Sequence, residues 1–283
     1  MSTRFEGSFH AQDHTELFFQ LWPVEAPRGT MVVTHGLAEH GECYQNLAKS
    51  LQADGWETYA LDLRGHGRSE GKRGFVRHFQ DYVDDLRSFV ELVTRQRKNP
   101  AAPLVLFGHS MGGLITTLLA LEWKPSPFQA IVLSSPLFGI AMAVPKLKDR
   151  AARLAARWLP SLTLANDLKY SDLSRDEAML KSYATDVLRH DKISPAVYLG
   201  MLEGFEKVDA GIGSLDIPIL VQVAGTDRVV NGEASQRLFP KLKNKKCVLQ
   251  IYPESLHEIY NDLDREQALM DLRKFLSQFP VNP

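Results

Sequence analysis

Gly108-His109-Ser110-Met111-Gly112 fits the pattern G-x-S-x-G, and its surroundings decide what the serine can do. Leu104 to Phe107 is a short unbroken apolar run, as in a strand buried on both faces of a parallel sheet, and from Gly113 onward the apolar residues take helical spacing. A serine at the tip of so sharp a strand-to-helix turn sits in strained backbone. The residues two positions to either side must then lack side chains for the chain to pass. Gly108 and Gly112 meet that demand. The turn lifts the Ser110 hydroxyl off the sheet, and the following helix aims its N-terminal amides at whatever binds there. Both features suit a nucleophile.

A serine hydroxyl attacks only when a base takes its proton, and the base needs a third group to fix its tautomer. Around a turn of this kind the chain order is nucleophile, acid, histidine. Asp227 follows the apolar run Ile219 to Val223 through Ala224-Gly225-Thr226, and His257 follows Cys247 to Tyr252 through Pro253-Glu254-Ser255-Leu256. Asp209 and Asp216 precede their strand and Asp262 comes after His257, so each is a weaker choice of acid. An oxyanion formed at Ser110 needs two donors. One is the amide of Met111; the second comes from the loop His35-Gly36-Leu37-Ala38-Glu39-His40-Gly41, where Leu37 is the choice. His35, His66 and His109 read as residues that brace loops or pack. No H-E-x-x-H or other ligand-spaced cluster calls for a metal, and Gly65-x-Gly67 lacks the remaining glycine of a dinucleotide loop, so no cofactor is expected.

The elements that carry these residues alternate strand and helix. Phe5 to Val24 reads as an edge hairpin, and Thr30 to Thr34, Trp56 to Leu61, Leu104 to Phe107 and Ala130 to Leu133 as strands. Helices are predicted over Tyr44 to Ala53, around Phe79 to Val93, after Ser110, over Gly232 to Leu242 and over Asp264 to Phe279. Such alternation implies a parallel sheet covered on both faces, with ligands at the carboxyl ends of the strands. Between 137 and 207 the pattern is helical with no convincing strand. That segment is read as an insertion into a core of residues 1–136 and 208–283.

The 283 residues suffice for a large buried core, and a formal charge of -1 gives no overall attraction to nucleic acid. Two cysteines far apart, Cys43 and Cys247, suggest neither a disulfide framework nor a thiolate site, which fits a reducing compartment. With no apolar leader and no apolar run of about 18 residues, the protein is expected in the cytoplasm.

Taken together, His35-Gly36-Leu37-Ala38-Glu39-His40, Asp62-Leu63-Arg64-Gly65-His66-Gly67-Arg68-Ser69, Gly108-His109-Ser110-Met111-Gly112-Gly113, Leu173-Ser174-Arg175-Asp176 and Gly225-Thr226-Asp227 resemble the serine α/β-hydrolase superfamily. More narrowly, they resemble its monoacylglycerol lipase and lysophospholipase branch. The resemblance implies a mostly parallel eight-stranded sheet with helices on both faces and a helical cap over 137–207. It also implies acylation of Ser110, a triad completed by Asp227 and His257, and oxyanion donors at Leu37 and Met111. Glu39 and Tyr183 resemble positions that the branch places near the polar head of its substrate. One departure stands out: many members carry an arginine just before the tyrosine matching Tyr44, and this chain has Cys43.

The reading that follows is a hydrolase of long-chain acyl esters, monoacylglycerols first. Lysophospholipid cleavage or acyl transfer by the same triad, and a ligand-binding protein on a degenerate hydrolase fold, are the alternatives. Lys146 to Leu159 adds a basic amphipathic helix, with Leu147, Ala151, Leu154, Ala155, Trp158 and Leu159 on one face and Lys146, Arg150, Arg153 and Arg157 on another. Such a helix can lie on a lipid surface as a peripheral contact, or pack over a pocket with its basic face in solvent.

Overall fold

The computed structural model describes residues 4–141, 146–159 and 161–279. Among them one eight-stranded sheet contains β1 (Phe5–His10), β2 (Glu16–Trp22), β3 (Gly29–Thr34), β4 (Trp56–Leu61), β5 (Leu104–His109), β6 (Ala130–Ser134), β9 (Ile219–Ala224) and β10 (Val248–Tyr252). Their spatial order is β1-β2-β4-β3-β5-β6-β9-β10, antiparallel at β1, β2 and β4 and parallel from β4 to β10. The expected edge hairpin and parallel centre are both present.

The central strands are apolar because neither of their faces meets water. In β5, Leu104 and Leu106 join one core while Val105 and Phe107 join the other; β6 divides Ile131 and Leu133 from Ala130 and Val132 in the same way. Side chains that alternate across the pleat thus feed two cores from one unbroken apolar run. The first core packs under α2 (Gln80–Gln96), α3 (Met111–Glu122) and α6 (Pro195–Gly211); the second lies under α1 (Gln45–Ala53) and α8 (Arg265–Leu276). α2 buries only one stripe, including Val83, Leu86, Val90 and Val93, whereas α3 is buried over Met111 to Ala120 and is correspondingly apolar all round.

Between β6 and β9 the chain forms α4 (Lys146–Trp158), β7 (Leu164–Ala165), α5 (Glu177–Thr185), β8 (Lys192–Ile193) and α6. The antiparallel β7–β8 ladder corrects the expectation of no strand in 137–207. Two residues per strand are too few to show a period of two in the sequence. The helix predicted to run to Leu242 also ends early: α7 (Gly232–Leu238) passes into a 3-10 turn over Phe239–Lys241. Pro240 has no N–H to continue the α-helical ladder.

The Asp62 to Ser69 motif follows β4 and serves structure. The Asp62 carboxylate accepts from Gly41 N at 2.7 Å and Arg68 N at 2.8 Å. The Arg64 guanidinium forks onto Asp85 of α2 at 2.5 and 2.6 Å and reaches Asp13 at 2.7 Å. Asp85 is 1% exposed, and burial lifts its carboxyl to about 6 in spite of Arg64. Removing the guanidinium would leave that acid unpaired. Arg64→Met should cost about 3 kcal/mol in chemical denaturation, and adding Asp85→Leu should restore most of it. Equal midpoints for Arg64→Met and the parent would contradict this account.

Candidate active site

Ser110 joins β5 to α3 with φ 52° and ψ -121°, a backbone conformation that is strained for any residue with a side chain. The two flanking glycines are needed for contact as well as for the turn. A Cβ at Gly108 would lie 2.5 Å from Gly112 O, and one at Gly112 would lie 2.2 Å from Thr34 O and 2.4 Å from His35 O. Ser110 N bonds Ser134 O of β6 at 3.0 Å, and Ser110 O accepts from Gly113, Leu114 and Leu137. The turn is therefore held on both sides. Met111 opens α3, so the helix offers its amide no partner.

The loop after β3 presses against this turn. A Cβ at Gly36 would meet Glu39 Oε1 at 2.9 Å and Ser110 Cβ at 3.0 Å, and Ala38 has φ 68°. Leu37 is half-buried between them. His35 braces the loop: Nδ1 donates to Gly36 O at 2.7 Å and Nε2 accepts from Leu63 N at 2.9 Å. Burial pushes its pKa down to about 3. His109 donates to Ser134 O at 3.0 Å and is likewise lowered, by burial and then by His257, to about 3. Both stay neutral spacers at neutral pH.

Asp227 and His257 come together at the ends of β9 and β10. Gly225 lets the two loops touch, since a Cβ there would lie 2.5 Å from Pro253 O. Gly225 N bonds Tyr252 O at 2.8 Å, and Thr226 N bonds Ser255 O at 3.1 Å. Across this seam His257 Nδ1 donates to Asp227 Oδ2 at 2.8 Å, leaving Nε2 as the acceptor. Asp227 Oδ1 takes the amides of Val229 at 2.8 Å and Val230 at 2.9 Å. Burial raises the affinity of Asp227 for a proton, but His257 and those two amides outweigh it and hold the carboxyl below its usual range. Burial works to lower His257, yet the Asp227 carboxylate, its hydrogen bond and the charges of Glu258 and Glu39 keep it above the ordinary histidine value. The rings of His257 and His109 are 4.7 Å apart, which puts the imidazole beside the residue preceding Ser110.

Asp262 has a structural task. It accepts Leu256 N and Arg175 N at 2.8 and 2.7 Å and pairs with the Arg175 guanidinium at 3.0 Å, tying the Leu173 to Asp176 motif to the His257 loop.

Glu39 and Tyr183 are both buried, and both have protein partners. Glu39 Oε1 accepts from Gly36 N at 2.5 Å and from Tyr44 OH at 2.7 Å, while its Oε2 has no hydrogen bond. Tyr183 OH donates to Glu258 Oε2 at 2.5 Å. Between them lies Arg189, which the sequence reading passed over. Its guanidinium stacks 3.8 Å over the Tyr183 ring, contacts Glu258 Oε1 at 3.2 Å and donates to Cys43 Sγ at 3.4 Å. A guanidinium thus stands against position 43 after all, delivered from 146 residues downstream. No motif marks Arg189 or Glu258; only folding brings them together.

Among the described residues one group has metal-ligating atoms in reach of one another, His40, Cys43 and Asp186, within 4.8 Å. His40 Nε2 already bonds Asp186 at 2.8 Å, and the Arg189 cation beside Sγ opposes a second positive charge. The cluster is a poor cation site.

Residues 25–264 match the family described as serine aminopeptidase, S33. The chain is similar to a monoacylglycerol lipase of Mycolicibacterium smegmatis, 30% identical over 97% of this chain and 98% of that protein. It is also similar to phospholipase YtpA of Bacillus subtilis, 28% identical over 91% of this chain and 98% of the other. Among solved structures, a Paleococcus ferrophilus monoacylglycerol lipase superposes with a TM-score of 0.82 at 28% identity, over 98% and 99% of the two chains.

The turn at Ser110 predicts its own fragility. Gly112→Ala should lower the unfolding free energy by about 2 kcal/mol or more, because the Cβ would meet backbone that cannot step aside. An unchanged denaturation midpoint would show that the turn has more room than the contacts allow.

Proposed function

Because the chain belongs to the α/β-hydrolase family described as serine aminopeptidase, S33, and is a carboxylic ester hydrolase, we propose that it cleaves long-chain monoacylglycerols through an acyl-enzyme on Ser110. The observation that carries the proposal is the buried His257–Asp227 pair beside the strained Ser110 turn. In the proposed reaction Ser110 Oγ attacks the ester carbonyl as His257 Nε2 takes its proton, and the amides of Leu37 and Met111 receive the oxyanion. The alcohol leaves with the proton from His257. A water, activated by the same imidazole, then releases the fatty acid and restores the serine.

The 137–207 segment is the proposed cap over the acyl chain, and Glu39 and Tyr183 form the head end of the site. That end already holds Glu258 and Glu39 beside one guanidinium whose terminal nitrogens are turned to Glu258 and Cys43. An added phosphate would meet carboxylates there, so a neutral glycerol head is favoured over a phosphodiester.

Peripheral membrane contact through the cap is part of the same proposal. No helix among the described residues is long and apolar enough to cross a membrane. Seven of the eleven exposed large apolar side chains among those residues fall within 137–207, with Leu154 63% and Trp158 68% exposed on α4. Arg150 is exposed on the same helix, and the Arg157 guanidinium sits 5.5 Å over the Trp158 ring. The side chains of Lys146, Leu147 and Ala151, assigned to these faces from sequence, lie outside the described residues; Arg153 is exposed. An exposed apolar ridge flanked by basic side chains supports docking on anionic lipid rather than a helix packed over the pocket.

Four outcomes test the proposal. Ser110→Ala should abolish turnover, by up to about 10⁶-fold, and kcat/KM for a monoacylglycerol should exceed that for a lysophosphatidylcholine of the same chain in the same detergent. A clear advantage for the lysophospholipid would overturn the head-group assignment. Activity should also decline on acidification with a midpoint above about 6.5, because the base must be neutral and its surroundings favour the charged form. A profile flat to pH 5 would remove His257 as the base. Finally, Trp158→Ala should weaken salt-sensitive binding to anionic vesicles while leaving hydrolysis of a short soluble ester unchanged. Equal vesicle binding by the variant would return α4 to the role of a packed helix.

A further inference from the structure

His257 is surrounded by more negative charge than a general base requires. Asp227 fixes the imidazole, but the next residue in the chain is Glu258, and Glu39 adds to the negative charge felt by the ring; the His109 ring, 4.7 Å away, is kept neutral by burial. A second carboxylate beside a histidine stabilises the imidazolium, which cannot accept a proton from serine. Something must offset Glu258.

The offset comes from Arg189, in the loop between α5 and β8. Its side chain is 4% exposed, and both terminal nitrogens lie 3.2 Å from Glu258 Oε1. Nη2 is also 3.7 Å from Glu39 Oε2 and 3.4 Å from Cys43 Sγ. Nε is 4.0 Å from Asp186, which is itself bonded to His40. Tyr183 covers the guanidinium face and also bonds Glu258, as does Asn261 at 3.0 Å. Burial and repulsion from Glu258 raise Glu39 toward its neutral form. Burial opposes the charge on Glu258, but Arg189, with the hydrogen bonds from Tyr183 and Asn261, outweighs it and holds that carboxyl below its usual range. Of its three acidic neighbours, Arg189 lies nearest Glu258. With both terminal nitrogens and its face committed to protein and only Nε without a hydrogen bond, Arg189 is placed to act on its neighbours.

We propose that Arg189 is a positioning residue that balances the Glu258 carboxylate beside His257 and so leaves the imidazole free to take the Ser110 proton. Because Arg189 belongs to the segment inserted between β6 and β9, the seating of that segment sets the proton affinity of the base. The inference rests on the reading of His257 as general base.

The test is the acid limb of kcat/KM for a short soluble ester. Arg189→Met should move the limb up by about one pH unit, since an unbalanced Glu258 favours imidazolium. Glu258→Gln, which keeps the shape of the side chain, should move it down, and the double variant should return it close to that of the parent. Arg189→Lys should hold the limb near the parent position by charge alone. Should Arg189→Met fail to fold, Glu258→Gln and Arg189→Lys still read the same limb. Single variants that lose rate with the limb unmoved would reduce Arg189 to a structural ion pair, as would shifts in the same direction for Arg189→Met and Glu258→Gln. A parent enzyme without an acid limb would overturn His257 as base and this inference with it, whereas a parent limb with immobile variants would overturn this inference alone.

Discussion

The backbone at Ser110 is the constraint on which the other parts of the site depend. A non-glycine residue at φ 52° and ψ -121° costs about 1–3 kcal/mol and persists only where its surroundings leave the chain no alternative. Here the surroundings are β5 in the middle of a parallel sheet, β3 on one side, β6 on the other and α3, buried from Met111 to Ala120, beyond. The absence of side chains at Gly108 and Gly112 is what lets these elements close on the turn. Once the turn is fixed, the loop after β3 lies against it with Gly36 at the Ser110 side chain, and the proposed oxyanion donors Leu37 and Met111 belong to these two segments.

The second requirement is electrostatic. The ends of β9 and β10 are stitched by backbone bonds before any catalytic side chain is considered, so the His257–Asp227 contact is prearranged rather than formed on demand. Burial would neutralise an isolated acid in this place. Two amides and the imidazole keep Asp227 ionised, and Asp262 with Arg175 locks the backbone around the histidine. The price is a crowd of carboxylates near one ring, which is why the cation at Arg189 matters to the account.

Sequence and structure agree where a single stretch of chain carries the signal. The turn at Ser110 is legible because strand, glycines and helix are contiguous, and Asp227 and His257 because each trails an apolar run that reads as a strand, although only β9 is buried and β10 is the sheet edge with Ile251 43% exposed. His35 and His109 were rightly read as bracing and packing residues, since each bonds its own neighbourhood. Arg189 and Glu258 carry no signal in the sequence, and Asp262 reads there only as a weaker acid, for the opposite reason: the Arg189–Glu258, Arg189–Cys43 and Arg175–Asp262 contacts span 69, 146 and 87 residues. A guanidinium missing from one position and restored from a distant loop cannot be seen in a pattern of neighbours. The β7–β8 ladder escaped notice because strands of two residues have no periodicity to detect.

The central claim is that Ser110 carries the acyl group, and the direct measurement is the mass of the peptide that contains it. Turnover of a monoacylglycerol by the Asp227→Asn variant, which should slow both acylation and deacylation, is quenched with acid after rapid mixing and the protein is digested. The account predicts a fraction of the Ser110 peptide heavier by one acyl group less the proton it replaces, absent when Ser110 is alanine. An acyl group recovered on Ser134, Ser135 or Ser255, with the Ser110 peptide unmodified, would contradict it.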